Sequence, residues 1–372
     1  MGWVCVLLAV MPLRLVAQDL ETVLDGSTSI ISRFTAIGVA QSTILVPDQD
    51  ENRVLLVNSR GGAHLSFGRE GSGPGEFRRI GRLGAYGTDG FWVEDRMQMR
   101  LHLISPDAKS LGERPIPTRI GTHDDRSGAD FMSNAGVRAA YTDGLMLVEV
   151  SAPGERAFSA NWTGRSSSGD DVAFALVDSS GTVRRIAGWR RGVRRCFASP
   201  TGVTMRTPLC ADPIVEVSPS GDRVLFIEGD ADAGKGRSRQ FQVVIVDRKG
   251  SPVRTSTISY APLRISATVR DSMVEGVAKV FPPDMAKAIR AAPVPGFFYP
   301  VRTAVVADDG SFALEVWDAD FDHRYRIFGS DGIERPSVTL PSSDTVIGMT
   351  GVFYYVLRTD TDGIQTLLRG RR

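Results

Sequence analysis

The sequence predicts an all-β protein: a six-bladed β-propeller of four-stranded antiparallel blades, with a short helical insertion near 266–291. Three observations lead there. A unit of apolar strands and tight turns occupies 82–115, where strands at 83–86, 91–94 and 100–104 alternate with turns at Thr88-Asp89-Gly90 and Ser105-Pro106-Asp107. Four short antiparallel strands in about 35 residues match the size of one blade. Variants of the unit recur along the chain. The 39 Gly and 20 Pro supply the turn residues such a fold needs.

Each element has its own local justification. One recurring piece is a strand, a Gly-containing turn and a second strand. It appears at 53–67, 101–109, 174–186, 242–250 and 325–332, where Ser59-Arg60-Gly61-Gly62, Asp178-Ser179-Ser180-Gly181, Asp247-Arg248-Lys249-Gly250 and Ser330-Asp331-Gly332 form the turns. Gly in these turns provides the positive φ that hairpins favour. A second piece precedes it: a turn at or near Gly144, Gly221, Gly310 or Gly351, then a very apolar strand. Leu145-Met146-Leu147-Val148 and Val224-Leu225-Phe226-Ile227 are apolar at every position, as expected of a strand packed on both faces. Six units result, near 35–68, 82–116, 135–188, 213–259, 301–340 and 344–370. The last has three strands, and 20–24 or its neighbour is expected to supply the fourth. Pairing the two chain ends in one sheet removes the open edge.

Three insertions interrupt the pattern. Residues 119–134 and 151–170 are polar loops. At 266–291 the period changes: Val269, Met273, Val277 and Val280 share one helical face, and Asp284 precedes a second helical run at 285–291. Residues 266–300 are expected to lie across one mouth of the ring.

The 372 residues would ordinarily suggest more than one domain, but repeats add only thin layers of core, so 18–372 reads as one propeller. A hydrophobic share of 42% and a charged share of 23% fit a globular protein. A net charge of +1 gives no reason to expect nucleic acid as a partner. Residues 1–17 read as an export signal: 3–11 is apolar, Pro12 follows, and Ala17 is an acceptable cleavage position. The positive n-region is missing and Leu15 departs from the small-x-small rule, and a buried first strand is the alternative. An apolar run of about ten residues is too short to cross a bilayer as a helix. The protein is therefore expected to be exported, without a transmembrane segment in its mature chain, and a monomer. In such a compartment Cys196 and Cys210 are expected to join, closing a loop of about 13 residues and contributing roughly 3 kcal/mol. Cys5 falls in the presumed signal.

At 68–77 the chain reads Gly68-Arg69-Glu70-Gly71-Ser72-Gly73-Pro74-Gly75-Glu76-Phe77. With the preceding hairpin this resembles the connections of six-bladed propellers of the NHL-repeat type, over 44–116. The third to sixth units lack the signature, so the resemblance is to a divergent, exported member. It implies that the glycines let the chain pass close to the next blade and that Phe77 wedges between blades. A phosphate-cradling loop is disfavoured, because no Lys-Ser/Thr follows and no helix begins there.

Candidate chemistry is sparse. The alternating carboxylates Asp318, Asp320 and Asp322, and the run Asp48-Gln49-Asp50-Glu51-Asn52, could hold a structural calcium or be plain polar turns. No other cofactor is expected. His64, His102, His123 and His323 show no metal-ligand spacing. Arg69, Glu76, Arg190, Arg191 and Arg194 are the candidate binding residues; Arg190, Arg191 and Arg194 continue a run begun at Arg184-Arg185, which either solvates an exposed strand and loop, the preferred reading, or meets an anionic polymer or an acidic partner. The sequon Asn161-Trp162-Thr163 matters only in a glycosylating host. No nucleophile elbow occurs. The function expected is a binding or scaffold module for a protein, small-molecule or polysaccharide ligand. The alternative is a metal-dependent hydrolase or lyase, lactonase-like or amidating-lyase-like, with its site in the central channel.

Overall fold

The computed structural model describes residues 15–16, 20–27, 34, 36–120, 132–151, 172–190, 197–198, 205–206, 214–227, 233–292, 294–317 and 323–372. Six four-stranded antiparallel sheets form a propeller. Blade one comprises Gly38–Ala40, Thr43–Asp48, Arg53–Asn58 and His64–Phe67. Blade two comprises Ile80–Tyr86, Gly90–Asp95, Arg100–Ile104 and Ser110–Pro115. Blade three is built from Met132–Ala140, Met146–Ser151, Val172–Val177 and Val183–Arg190, with the short Arg119–Ile120 beside its first strand. Ile214–Val217, Arg223–Ile227, Gln240–Asp247 and Pro252–Ser259 make blade four; Val301–Val306, Phe312–Val316, His323–Phe328 and Val338–Leu340 make blade five.

Blade six has only three strands from its own stretch of chain: Asp344–Met349, Phe353–Thr359 and Gln365–Arg371. Its fourth is Glu21–Leu24, antiparallel to Gln365–Arg371 with Thr22 opposite Leu368. Two further contacts secure the closure. Arg369 pairs with Glu21, and the Phe34 amide donates to Gln365 Oε1 at 2.7 Å. The predicted fourth strand is therefore present. Leu15–Val16 runs parallel to Val338–Thr339 at the outer edge of blade five.

The core is six sandwiches, one between each pair of adjacent blades. The second strand alternates its side chains between them. Ile44 and Val46 face blade six with Tyr355, Leu357 and Leu367, while Leu45 faces blade two with Phe91, Val93 and Ile104. Trp92 and Leu103 of blade two meet Val137, Met146 and Val148 of blade three. The same arrangement joins blades three and four, four and five, and five and six. Burial on both faces explains why these strands are apolar at every position.

Phe77 is fully buried between blades one and two, edge-on to Phe67 at 6.1 Å between centroids and 4.4 Å from the His102 ring. Gly68, at φ +94°, lies where any β-carbon would overlap the Phe77 ring. The loop between them folds on itself: Phe77 N donates to Arg69 O at 2.8 Å, and Gly71 N to Phe77 O at 3.1 Å.

The insertion contains α1, Ala267–Ala278, capped by Ser266 Oγ on Val269 N at 3.2 Å, and α2, Pro283–Ala291. Its packing differs from the expectation. Val280 lies beyond α1 and is 75% exposed, and Met273 is exposed too. The helices pack against each other through Ala278, Ala286 and Ile289, with Val274, Val277 and Phe281 around them. A two-helix hairpin can bury its apolar side chains internally, so of the predicted face only Val277 joins this small core.

Two substitutions check this account. Leu24→Ala should cost about 2–5 kcal/mol in urea unfolding by opening a cavity where the ends meet. Gly68→Ala should destabilise through both its positive φ and the clash with Phe77, whereas Gly363→Ala, whose β-carbon meets open space at φ +83°, should show only the backbone penalty.

Candidate functional site

Strand direction sorts the connections onto the two ends of the ring. Turns between first and second strands, and between third and fourth, fall on one end. Most are short, such as Gly87–Asp89 and 105–109, and the longest spans 329–337 in blade five. Connections between second and third strands, and between blades, fall on the other. Among the described residues that insertion face carries 68–79, 116–120, 233–239, 260–292 and 294–300. At the tight-turn end the inner strands converge: Ala85 N of blade two donates to Pro219 O of blade four at 3.1 Å, past blade three. Tyr141 Oη bonds Gly221 O at 2.7 Å, and Ser220 N bonds Asp308 Oδ1 at 3.0 Å. The channel thus narrows away from the insertion face.

The inner strands of blades two to four carry charge. Arg138 grips Glu149 through Nε at 2.9 Å and through Nη2. Arg82 Nη2 stands 3.6 Å from the same carboxylate oxygen. Glu94 Oε2 accepts the Arg82 amide at 3.0 Å and lies 3.7 Å from Arg96 Nε. Glu216 of blade four joins this group. Burial pushes its carboxyl up to about 7, against the opposing pull of Arg138 and Arg82 and with help from Glu149.

Between blades four and five, under the insertion, lies a cavity of about 340 Å³. Tyr260, Phe298, Tyr299 and Trp317 supply rings, and Arg324, Arg326 and Glu334 the polar wall. Phe298 stacks on Trp317 at 4.2 Å and 29°. Arg302 lies 4.4 Å from the indole centroid and is anchored by Glu315 at 2.7 Å. Glu315 is buried and also receives Tyr325 Oη at 3.3 Å. Arg326 holds Glu334 by two bonds of 2.7 Å and reaches Ser259 O at 2.8 Å. The strand alternation places Arg324 and Arg326 on the face toward blade four, opposite Tyr325. Paired ionic groups beside aromatic surface can orient a flat polar ligand.

The residues singled out from sequence separate here. Arg69 and Glu76 come together at 2.7 Å, and Glu76 also accepts Gly73 N at 2.8 Å, which holds its carboxyl below the usual range. Arg190 closes the fourth strand of blade three. All three belong to the insertion face. Arg191, Arg194, Asp318, Asp320, Asp322, Cys196 and Cys210 lie outside the described residues, as does His123. Asp48 is buried and accepts Arg53 Nε at 2.9 Å and Glu51 N at 3.4 Å, so the 48–52 turn is closed by its own side chains. His102 is buried on a third strand, and that burial lowers its pKa against the pull of Glu113. Among the described residues no three His, Cys, Asp or Glu side chains converge to hold a metal. The channel charges and the aromatic cavity were not found from sequence. The signal for the first was an Arg or Glu on successive inner strands, and for the second the cluster Phe297-Phe298-Tyr299 beside Trp317.

No family model matches the chain, and no curated protein matches it. Solved structures share its outline. A candidate exported protein of Bacteroides fragilis aligns over 95% of this chain and 94% of its own, at 11% identity and a TM-score of 0.48. A member of the DUF4221 family from Bacteroides vulgatus covers 96% and 97%, at 7% identity and 0.47. Virginiamycin B lyase from Staphylococcus aureus covers 94% and 98%, at 8% identity and 0.42. These are likenesses of shape, and the fold assignment rests on the six sheets and the packing between them.

Glu216 offers a test of the channel. Its folded-state pKa is raised, so ionisation opposes folding. The penalty is absent below the unfolded value near 4.5, grows as pH rises toward 7 and is complete above. Glu216→Gln should therefore be more stable than the parent at pH 8 by roughly 1–2 kcal/mol, a figure reduced for channel solvent. In urea melts the difference should vanish near pH 4.5.

Proposed function

We propose that the protein is an exported binding module whose insertion face takes a small ring-bearing ligand, a saccharide or an aromatic acid. One observation carries this reading: the aromatic cavity between blades four and five, with its Arg326–Glu334 pair and the Arg302-backed indole. Cavities of this size that combine aromatic rings with a few fixed polar groups suit one or two rings of ligand. Arg69, Glu76 and Arg190 belong to the same face and would border a larger ligand. Export is supported by the short apolar stretch at 3–11, and no helix among the described residues is long and apolar enough to cross a membrane. The metal-dependent alternative finds no ligand set among the described residues.

The purified protein should be screened by thermal shift against mono- and oligosaccharides and aromatic acids. A hit is expected to lose at least tenfold in affinity, about 1.4 kcal/mol, in Trp317→Ala and in Tyr299→Ala. Lys109→Ala, on the opposite face, should bind normally. Hits indifferent to both cavity variants would reject the cavity. Chemical conversion of a hit, followed by chromatography, would reject a pure binding role. Export is read separately, by fractionation and N-terminal sequencing of the mature chain.

A further inference from the structure

The channel holds a feature independent of the aromatic cavity. Arg82 Nη1 is buried and meets no acceptor among the described residues. Its Nη2 is too far from Glu149 for a hydrogen bond, and the Glu149 oxygen it faces is held by Arg138. Blade three comes close alongside: a β-carbon on Gly136, at φ +143°, would overlap Arg82 Nη1 and come within 3.8 Å of Arg96 Nη2. Burial and then the neighbouring Arg138 weaken Arg82's hold on its proton, more than Glu149 and Glu94 strengthen it. This is a guanidinium under-compensated by its surroundings. The side chain as a whole is nevertheless 34% exposed, so solvent reaches its atoms other than Nη1.

The charge count points the same way. Among the described residues, Arg82, Arg96 and Arg138 face Glu94, Glu149 and Glu216. A carboxyl near pKa 7 carries about half a charge at neutral pH. The group is therefore net positive at and below pH 7. Its position in a channel narrowed at the tight-turn end strengthens the field felt by an incoming anion.

We propose that this cluster is an anion site: a ligand presenting a carboxylate or phosphate group enters from the insertion face and seats on Arg82, with Arg96 and Arg138 adding to the attraction. Arg82 offers the planar fork that both groups prefer. The site needs no metal, no movement of the Arg138–Glu149 pair and no ligand in the aromatic cavity.

The test is calorimetric titration of the full chain with phosphate, succinate and sulfate, at ionic strength fixed with chloride. Phosphate or succinate should bind with one-to-one stoichiometry, and the tighter of the two identifies the headgroup. Sulfate, whose own charge does not change over this range, should bind several-fold more tightly at pH 6 than at pH 8, because Glu216 loses its charge beside Arg82, Arg138 and Glu149. Arg82→Gln should weaken the preferred anion at least tenfold, and Lys109→Gln should not. Should circular dichroism show Arg82→Gln unfolded, Arg96→Gln replaces it, with an expected loss of about threefold or more. No binding of either phosphate or succinate above the chloride control, or undiminished binding by the folded variant, would overturn the assignment. No ring-bearing ligand is present in these titrations, so their outcome is separable from that of the cavity.

Discussion

The structure depends on one constraint: every blade must bury both of its faces. A single four-stranded sheet can hide one face against one neighbour, and the other then needs a second neighbour. Six sheets around an axis satisfy all of them at once, provided the last meets the first. Val23 and Leu24 make that meeting possible. They lie with Tyr355, Leu357 and Leu367 on one side and Val39, Ile44 and Val57 on the other. Without this strand, Gln365–Arg371 would present an unpaired edge, which invites association with other chains.

The same constraint separates stability from function. Because the flat faces are used for packing, only the two ends of the ring and its axis are left to meet other molecules. Antiparallel order then decides which end can vary. One end receives only hairpin turns, held by their own side chains, as Asp178 and Asp247 hold theirs. The other receives the long described connections at 68–79 and 260–292, and insertions there leave the inter-blade packing untouched. The aromatic cavity arises in this way. Residues 260–300 depart from blade four and return to blade five, and the rings of Tyr260, Phe298 and Tyr299 are brought beside Trp317 at the end of a core strand. Binding groups are thereby fixed on rigid strand ends rather than on the loops alone.

Much of the fold was legible because its rules are local. The strands 91–94 and 100–104 are visible as apolar runs between turns, and in the structure each is extended by no more than a residue. Two-sided burial showed in Val224-Leu225-Phe226-Ile227, whose side chains divide between the two adjoining cores. Phe77 was legible as a wedge because the four glycines just before it make sense where backbone passes close to something bulky. The helical stripe misled, since a period of 3.6 reveals an apolar face but not its partner; here the partner was α2. The channel group was illegible for another reason. Arg82, Arg138 and Glu216 are separated by 56 and 78 positions, and ordinary surface strands show the same residues. Only the register of three inner strands turns them toward one axis.

That register also explains why the axis is polar at all. Inner strands pack their alternating residues against neighbouring blades, yet their curvature toward the axis leaves some positions with no apolar neighbour. Other inner positions are crowded instead and carry glycine: at Gly84 a β-carbon would press on the Trp92 ring, and at Gly348 on Ile37. Arg82 and Arg138 answer the lack of apolar neighbours by reaching along the axis to polar partners. Arg138 finds a complete one in Glu149, whereas Arg82 shares that carboxylate at a distance. A fully matched pair would have cost little to place at Arg82, because Glu94 is already within reach of its amide. The charge left over lies where the channel still admits solvent, and there it can meet an anion from outside at no expense to the packing that holds the ring closed.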